Sequence, residues 1–277
     1  MNCPKFSRWT LIVVFVVFLP AALFAQTDCE EGDGPLHRDP PQGTTPAEII
    51  QKFAAKEAVF RQARDNYTYT QEVNVQTLDG HTVDGEYKQV TDITYDDKGA
   101  RLENVTFAPQ SSLTRVQMTQ EDFDDIRNKM PFVMTTEDLP QYDVHYEGTQ
   151  HVDEIDTYVF EIAPKRIEKD KRYFQGRIWV DNHDLQIVKT CGKGLPEKRG
   201  KNENLYPRFV TYREQIDGQY WFPTYTRADD FLHFSTGDVH IREIIKYTNY
   251  KRFGSRTKII FKGEAPRDNK QEKAPPK

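Results

Sequence analysis

Cysteine is scarce in this chain, and no two cysteines stand at the short spacing that redox or zinc chemistry uses. Only Cys3, Cys29 and Cys191 occur among 277 residues, so a CxxC pair and a cysteine-based zinc cluster are both absent. Missing too are HExxH, the GxSxG nucleophile elbow, the P-loop and the GxGxxG fingerprint. With them go the readable signatures of zinc peptidases, α/β hydrolases and nucleotide enzymes. No repeat of 20 to 50 residues is present, which excludes a propeller or solenoid. Positive charge is not in excess: 38 Lys and Arg stand against 43 Asp and Glu. Such a balance gives no electrostatic footprint for nucleic acid.

Long apolar runs are missing as well, except one. Lys5 and Arg8 precede "WTLIVVFVVFL" (9–19), and "AALFA" ends at Ala25, the three parts of a secretory signal peptide. Pro20 interrupts the run before it reaches the roughly 20 residues of a membrane span. The reading is therefore a cleaved signal over 1–25 and a periplasmic or secreted mature chain. No small residue directly precedes Cys29, which follows "QTD", so no lipid anchor is expected. An exported compartment tolerates disulfides, and Cys29 and Cys191, the two cysteines left after cleavage, could pair or stay free.

What the chain does have is aromatic side chains, 17 Phe, 14 Tyr and 3 Trp, in a background of strongly negative mean hydropathy. That combination suits sheets with a polar outer face and an aromatic inner one. Residues 26–43 and 263–277 are rich in Gly, Pro and charge without periodicity and read as mobile tails. The folded unit is placed at 44–262.

It opens with "TTPAEIIQKFAAKEAVFRQARDNY", in which Thr45 is an N-cap, Pro46 the first helical residue and Glu48 the capping-box partner. Ile49, Ile50, Phe53, Val59 and Phe60 are assigned to the apolar face of this helix. After Asn66 the period changes from 3.6 to 2, and strands follow one another with turn signals between them. A short helix at "TQEDFDDIRNKM" is the one interruption. No βαβ alternation occurs, so the sheet should be antiparallel. The predicted architecture is mainly β (α+β). It is one strongly curved antiparallel sheet or open half-barrel of about 10–11 strands, with a long N-terminal and a short inserted helix on its concave face.

Two clusters could supply oxygen and imidazole ligands: Asp181, His183 and Asp184 in "DNHD", and Asp229, Asp230, His233, Asp238 and His240 around "DDFLHFSTGDVH". Both fall at hairpin turns, where Asx residues close the turn on their own backbone. They are read as structural, with a metal-dependent or hydrolytic enzyme kept as the least favoured alternative. The basic run "PKRIEKDKR" (164–172) reads as a solvated loop that could touch an acidic partner.

The signal peptide, the amphipathic helix entering "YTYTQEV", and the hairpin "GRIWVDNHDLQIVKT" followed by "YREQIDGQYWFPTYTR" together resemble the LolA-like superfamily of lipoprotein-sorting and lipoprotein-sensing proteins. Gly176, Ile178, Trp179, Val180 and Asp181 match its G-x-[IL]-W-[IV]-D strand, and Leu185, Ile187 and Lys189 its return strand. Asp217, Gly218, Phe222 and Pro223 match its DG-x-x-[FWY]-P element. The resemblance spans about residues 45–262 and implies an unclosed barrel whose apolar concave face, lidded by helices, receives acyl chains. The insertion at 193–209 has no place in that pattern.

On this reading the protein is a non-catalytic binding protein, with no cofactor and no metal. Its cavity is lined by Tyr69, Tyr95, Tyr158, Phe160, Trp179, Tyr212 and Trp221. Its partners are lipid or lipoprotein acyl chains, with peripheral membrane contact. The alternative is an envelope sensor or scaffold that binds a protein through a strand edge or the basic loop.

Overall fold

The computed structural model describes residues 29–30, 33–96, 99–196 and 205–252. The predicted signal peptide, the C-terminal tail and the "TKIIF" strand lie outside the described residues. Helix α1 (Pro46–Arg64) begins as its capping signals dictate: Thr45 Oγ1 accepts from the Glu48 N–H at 3.3 Å, and Glu48 Oε2 accepts from the Thr45 N–H at 3.1 Å. Helix α2 (Gln120–Asn128) repeats the device with Thr119 and Asp122.

Ten strands are described: β1 (Tyr67–Asp79), β2 (Thr82–Tyr95), β3 (Arg101–Phe107), β4 (Tyr142–Val152), β5 (Ile155–Pro164), β6 (Tyr173–Asp181), β7 (Ile187–Leu195), β8 (Phe209–Gln215), β9 (Trp221–Phe234) and β10 (Gly237–Arg252). They form one open antiparallel sheet in the order β3-β2-β1-β10-β9-β8-β7-β6-β5-β4. Two up-and-down meanders are thus joined where β10 returns beside β1, with Val73 opposite Ile245. Gly176, the first residue of the G-x-[IL]-W match, lies on β6 where β7 passes so close that a Cβ would overlap the Cys191 carbonyl.

A single apolar cluster takes Val73 and Val75 from β1, Phe160 and Ile162 from β5, Ile178 and Val180 from β6, and Ile241 and Ile245 from β10. The same cluster contains Ile49, Phe53 and Ala54 of α1 and Met130, Phe132 and Met134 from the segment after α2. Strands from both meanders therefore share one filling, because the twisted sheet curls around it. The buried stripe of α1 differs from expectation at one place. Val59 is 54% exposed, while Glu57 is fully buried between Phe53 and Phe60. Hydrophobicity pointed to Val59, but the helical period points to 53, 57 and 60.

The opposite face of the sheet carries a second cluster, in which Val159, Trp179, Val188, Cys191 and Val210 pack with Cys29 and Leu36. Residues 33–43, expected to be part of a mobile tail, are laid across this face. The Gly34 N–H donates to the His151 carbonyl at 2.8 Å, and His37 exchanges both backbone hydrogen bonds with Thr149. The segment thereby pairs with the free edge of β4, which has no other strand neighbour. Cys29 is bonded to Cys191 with a Cα–Cα distance of 5.5 Å. Lys189 Nζ meets Asp33 Oδ2 at 2.7 Å, with side-chain exposures of 1% and 3%. Composition suggested a tail because the segment has no apolar period; its order comes from contacts made to the sheet.

Breaking this pair from one side strands a buried charge. Asp33→Ala is expected to lower stability by about 3–5 kcal/mol, and Asp33→Leu combined with Lys189→Met to recover most of the loss. Urea denaturation of the oxidised protein measures both.

Candidate functional site

The inner face is closed at its centre by an ion pair and not by apolar side chains alone. Arg213 on β8 donates from Nη1 to both Glu57 oxygens at 3.1 Å, and the Ile187 N–H donates to Glu57 Oε1 at 3.2 Å. Nη2 of Arg213 is bound to the Phe132 carbonyl, and its guanidinium lies 5.3 Å from the centre of the Phe60 ring. Burial raises the Glu57 carboxyl above its ordinary value against the opposing pull of Arg213 and the Ile187 amide. One carboxylate thus ties α1, β7, β8 and the segment after α2 together.

Recesses lie to either side of this plug. One, of about 260 Å³, has walls of Phe60, Tyr69, Tyr95, Phe222 and Tyr250. Arg64, Arg101 and Arg127 stand at its rim with Asp65 among them. Tyr69 stacks on Tyr250 with ring centres 5.1 Å apart, and Phe222 lies 4.7 Å from Tyr250. Arg101 donates to the Tyr69 hydroxyl at 2.9 Å and to Glu103 at 2.9 Å, and Glu103 also accepts from Arg127 at 2.9 Å. Burial pushes the Tyr69 hydroxyl up to about 12, with Arg101 opposing, so this hydroxyl remains neutral throughout the physiological range. An aromatic cup edged by guanidinium groups suits an apolar body with an anionic end.

A second opening, a groove of about 270 Å³, lies against α2 and the β9–β10 hairpin, with Met118, Leu205, Leu232, Phe234 and Ile241 in its walls.

The seven side chains assigned to a common cavity divide among three places. Tyr69 and Tyr95 meet in the aromatic recess. Phe160 is fully buried against Phe53, and Tyr158 packs near it beside Tyr146. Trp179, Tyr212 and Trp221 belong to the opposite face of the sheet. There Trp179 Nε1 donates to Gln150 Oε1 at 2.7 Å, and the Lys189 ammonium lies 4.7 Å from the Trp179 ring and 5.3 Å from that of Tyr212. Placement of these three in a shared cavity is thereby corrected. Alternation identifies which residues share a face but not which face is inward, and a shift of one residue exchanges the two. The rim arginines went unassigned because they come from separate elements.

The turn at "DNHD" uses Asp181 on its own backbone and Asp184 to meet the β8–β9 hairpin. Asp181 accepts from the His183 and Asp184 N–H groups at 3.0 Å each, and Asp184 accepts from Gln215 at 3.2 Å and from Trp221 Nε1 at 3.3 Å. Asp181, His183 and Asp184 lie within 4.8 Å of one another, as closing a tight turn requires. In the second cluster Asp229 pairs with His240 and Arg242, and His233 with Asp238, across the β9–β10 hairpin.

No family model matches the sequence, and no curated protein does. Among solved structures, the chain is similar to a DUF1329 family protein from Desulfovibrio piger at 16% identity, over 77% of this chain and 96% of that one, with a TM-score of 0.44. It is also similar to a protein described as an outer membrane lipoprotein-sorting protein domain from Vibrio parahaemolyticus (15% identity, 75% and 95% covered, TM-score 0.34). The Pseudomonas aeruginosa MucA/MucB complex is a more distant likeness (11% identity, 72% and 99% covered, TM-score 0.21).

The central plug makes a quantitative demand. Arg213→Met leaves the Glu57 carboxyl buried without its cation and should cost about 3–5 kcal/mol, most of it restored by Glu57→Leu in the same chain. Denaturation of the two single variants and the double variant measures the coupling.

Proposed function

We propose that this is an exported, non-catalytic periplasmic binding protein that holds an acyl chain of a lipoprotein or another amphiphile in the aromatic recess between α1, β1 and β9. The observation that supports this reading is the recess of about 260 Å³ walled by Tyr69, Tyr95 and Phe222 and edged by Arg64, Arg101 and Arg127. At the small end of ligand-site volumes, it suits a segment of one chain. Burial of each methylene contributes about 0.8 kcal/mol, and the arginines would meet a carboxylate or phosphate at the surface. The signal-peptide pattern read in residues 1–25 supports export, and the disulfide between Cys29 and Cys191 suits an oxidising compartment. Among the described residues no helix is long and apolar enough to cross a membrane, so membrane contact on this reading is peripheral.

A second reading, an envelope sensor or scaffold with a protein partner, has its own support. Strand β3 ends the sheet with one edge unpaired among the described residues and with Leu102, Val105 and Phe107 about half exposed, the form of an edge that accepts another strand. The basic 164–172 loop favours this less, since Lys171 pairs with Glu168 and Arg172 with Asp125.

Titration calorimetry with dodecyl phosphate separates the readings. The wild type should bind it at one site, Arg101→Gln should weaken binding about tenfold, the worth of one charge-assisted contact, and Trp179→Ala should leave affinity unchanged. Indifference to both Arg101→Gln and Tyr95→Glu would remove the recess from consideration. Native mass spectrometry of protein from its own envelope then reports whether lipid or a stoichiometric protein accompanies it.

A further inference from the structure

Strand β10 turns Val239, Ile241, Glu243, Ile245 and Tyr247 to the inner face in strict alternation. Glu243 is the one charged member of that stripe. It is 4% exposed, stands in register with Val75 on β1 and Ala228 on β9, and its Oε1 has no hydrogen-bond partner. Native cores rarely leave a carboxyl in this state, because its desolvation goes uncompensated. Leucine would fill the position at no such cost.

Glu243 lines an inner cavity of about 40 Å³ together with Asp122 and Asp125 of α2. That cavity shares Met118, Asp122, Leu205, Tyr206, Leu232 and Ile241 with the outer groove of about 270 Å³, so the two adjoin, and Glu243 lines the inner one. The charged groups around it are few. From α2 come Asp122 and Asp125. Arg172, just before β6, is taken up by Asp125 and stacks at 3.9 Å on the ring of Tyr206. In register with Glu243 on β1 and β9 stand the uncharged Val75 and Ala228. Asp122 Oδ2 accepts from the Thr119 N–H and hydroxyl, both at 2.7 Å. Desolvation first, and then Asp122 and Asp125, push the Glu243 carboxyl up to about 8.

We propose that this groove is a binding site for a small alkylamine, whose ammonium group passes Leu232 and Ile241 to reach Glu243 and Asp122 while its alkyl stem fills the groove. The site is acidic, and its nearby arginine is already paired, so a cation is complementary and a carboxylate or phosphate is repelled. An ammonium brings three donors and no acceptor, which suits the unpartnered Oε1 of Glu243. A bare divalent ion asks for about six oxygens, and Glu243 and Asp122 supply few. This site shares no lining residue with the aromatic recess and stands apart from the function proposed there.

Binding requires Glu243 to be ionised. Below about pH 8 the carboxyl must release its proton first, so affinity rises with pH up to tenfold per unit and levels off above that point. Calorimetry of the full mature chain with octylamine at pH 6.5, 7.5 and 8.5 tests this. Saturable binding with that slope is expected, reduced at least tenfold by Glu243→Gln, which copies the shape of the protonated carboxyl and should fold. Leu232→Trp should block the groove as well, and dodecyl phosphate binding should survive both changes. Equal octylamine affinity in wild type and Glu243→Gln, or octanoate binding as well as octylamine, overturns the proposal. So does calcium or zinc binding that depends on Glu243 in place of amine binding, which would make this a metal site.

Discussion

A carboxylate and a guanidinium in the middle of an apolar core govern how this sheet can close. Glu57 and Arg213 are 0% and 1% exposed, and neither could stay there alone. Helix α1 must therefore enter the curl of the sheet at the one depth and rotation that brings Glu57 opposite β8. The surrounding apolar contacts, Phe53 on Phe160 and Phe60 on Phe222, tolerate small slips; the ion pair, with its added bonds to the Ile187 amide and the Phe132 carbonyl, does not. A plug fixed in this way leaves space at its flanks instead of one large cavity.

The outer face solves a different problem. A sheet of ten strands covered on one side still has its other side and two edges to protect. Residues 33–43 cover part of that side and pair with the β4 edge, held by the disulfide at Cys191 and by Asp33 on Lys189. The β3 edge has no such cover among the described residues. This asymmetry separates a covered end of the sheet from one that is uncovered among the described residues.

The two recesses differ in electrostatic character for reasons visible in their rims. Arg64, Arg101 and Arg127 project around tyrosine and phenylalanine rings at one, whereas Asp122, Asp125 and Glu243 gather at the other. Opposite charge at two apolar openings of one half-barrel would let the same fold hold two amphiphiles of opposite sign without competition between them.

Alternation, turn residues and caps are local, and they carried the helices, the order of the strands and the antiparallel pairing; Thr45, Asp79-Gly80 and Asp217-Gly218 act within a few residues of themselves. The helical period even marked Glu57 as inward, since 53, 57 and 60 share a face, although hydrophobicity favoured Val59. Alternation likewise puts Glu243 on one face with Ile241 and Ile245, and the structure shows that face to be buried. Which face of each strand looks inward is another matter, because alternation is symmetric. Trp179, Tyr212 and Trp221 went to the outer face only when β5 to β9 were assembled and the N-terminal segment lay over them. Ion pairs spanning 156 positions, such as Lys189 with Asp33 and Arg213 with Glu57, have no local sign at all. The sequence by itself determined the elements, the hairpin pairing of neighbours and the antiparallel sense, through interactions a few residues long; tertiary structure alone decided the join of β1 to β10, the inward face, the central plug and the two recesses, because each depends on groups that only the curvature of the sheet brings together.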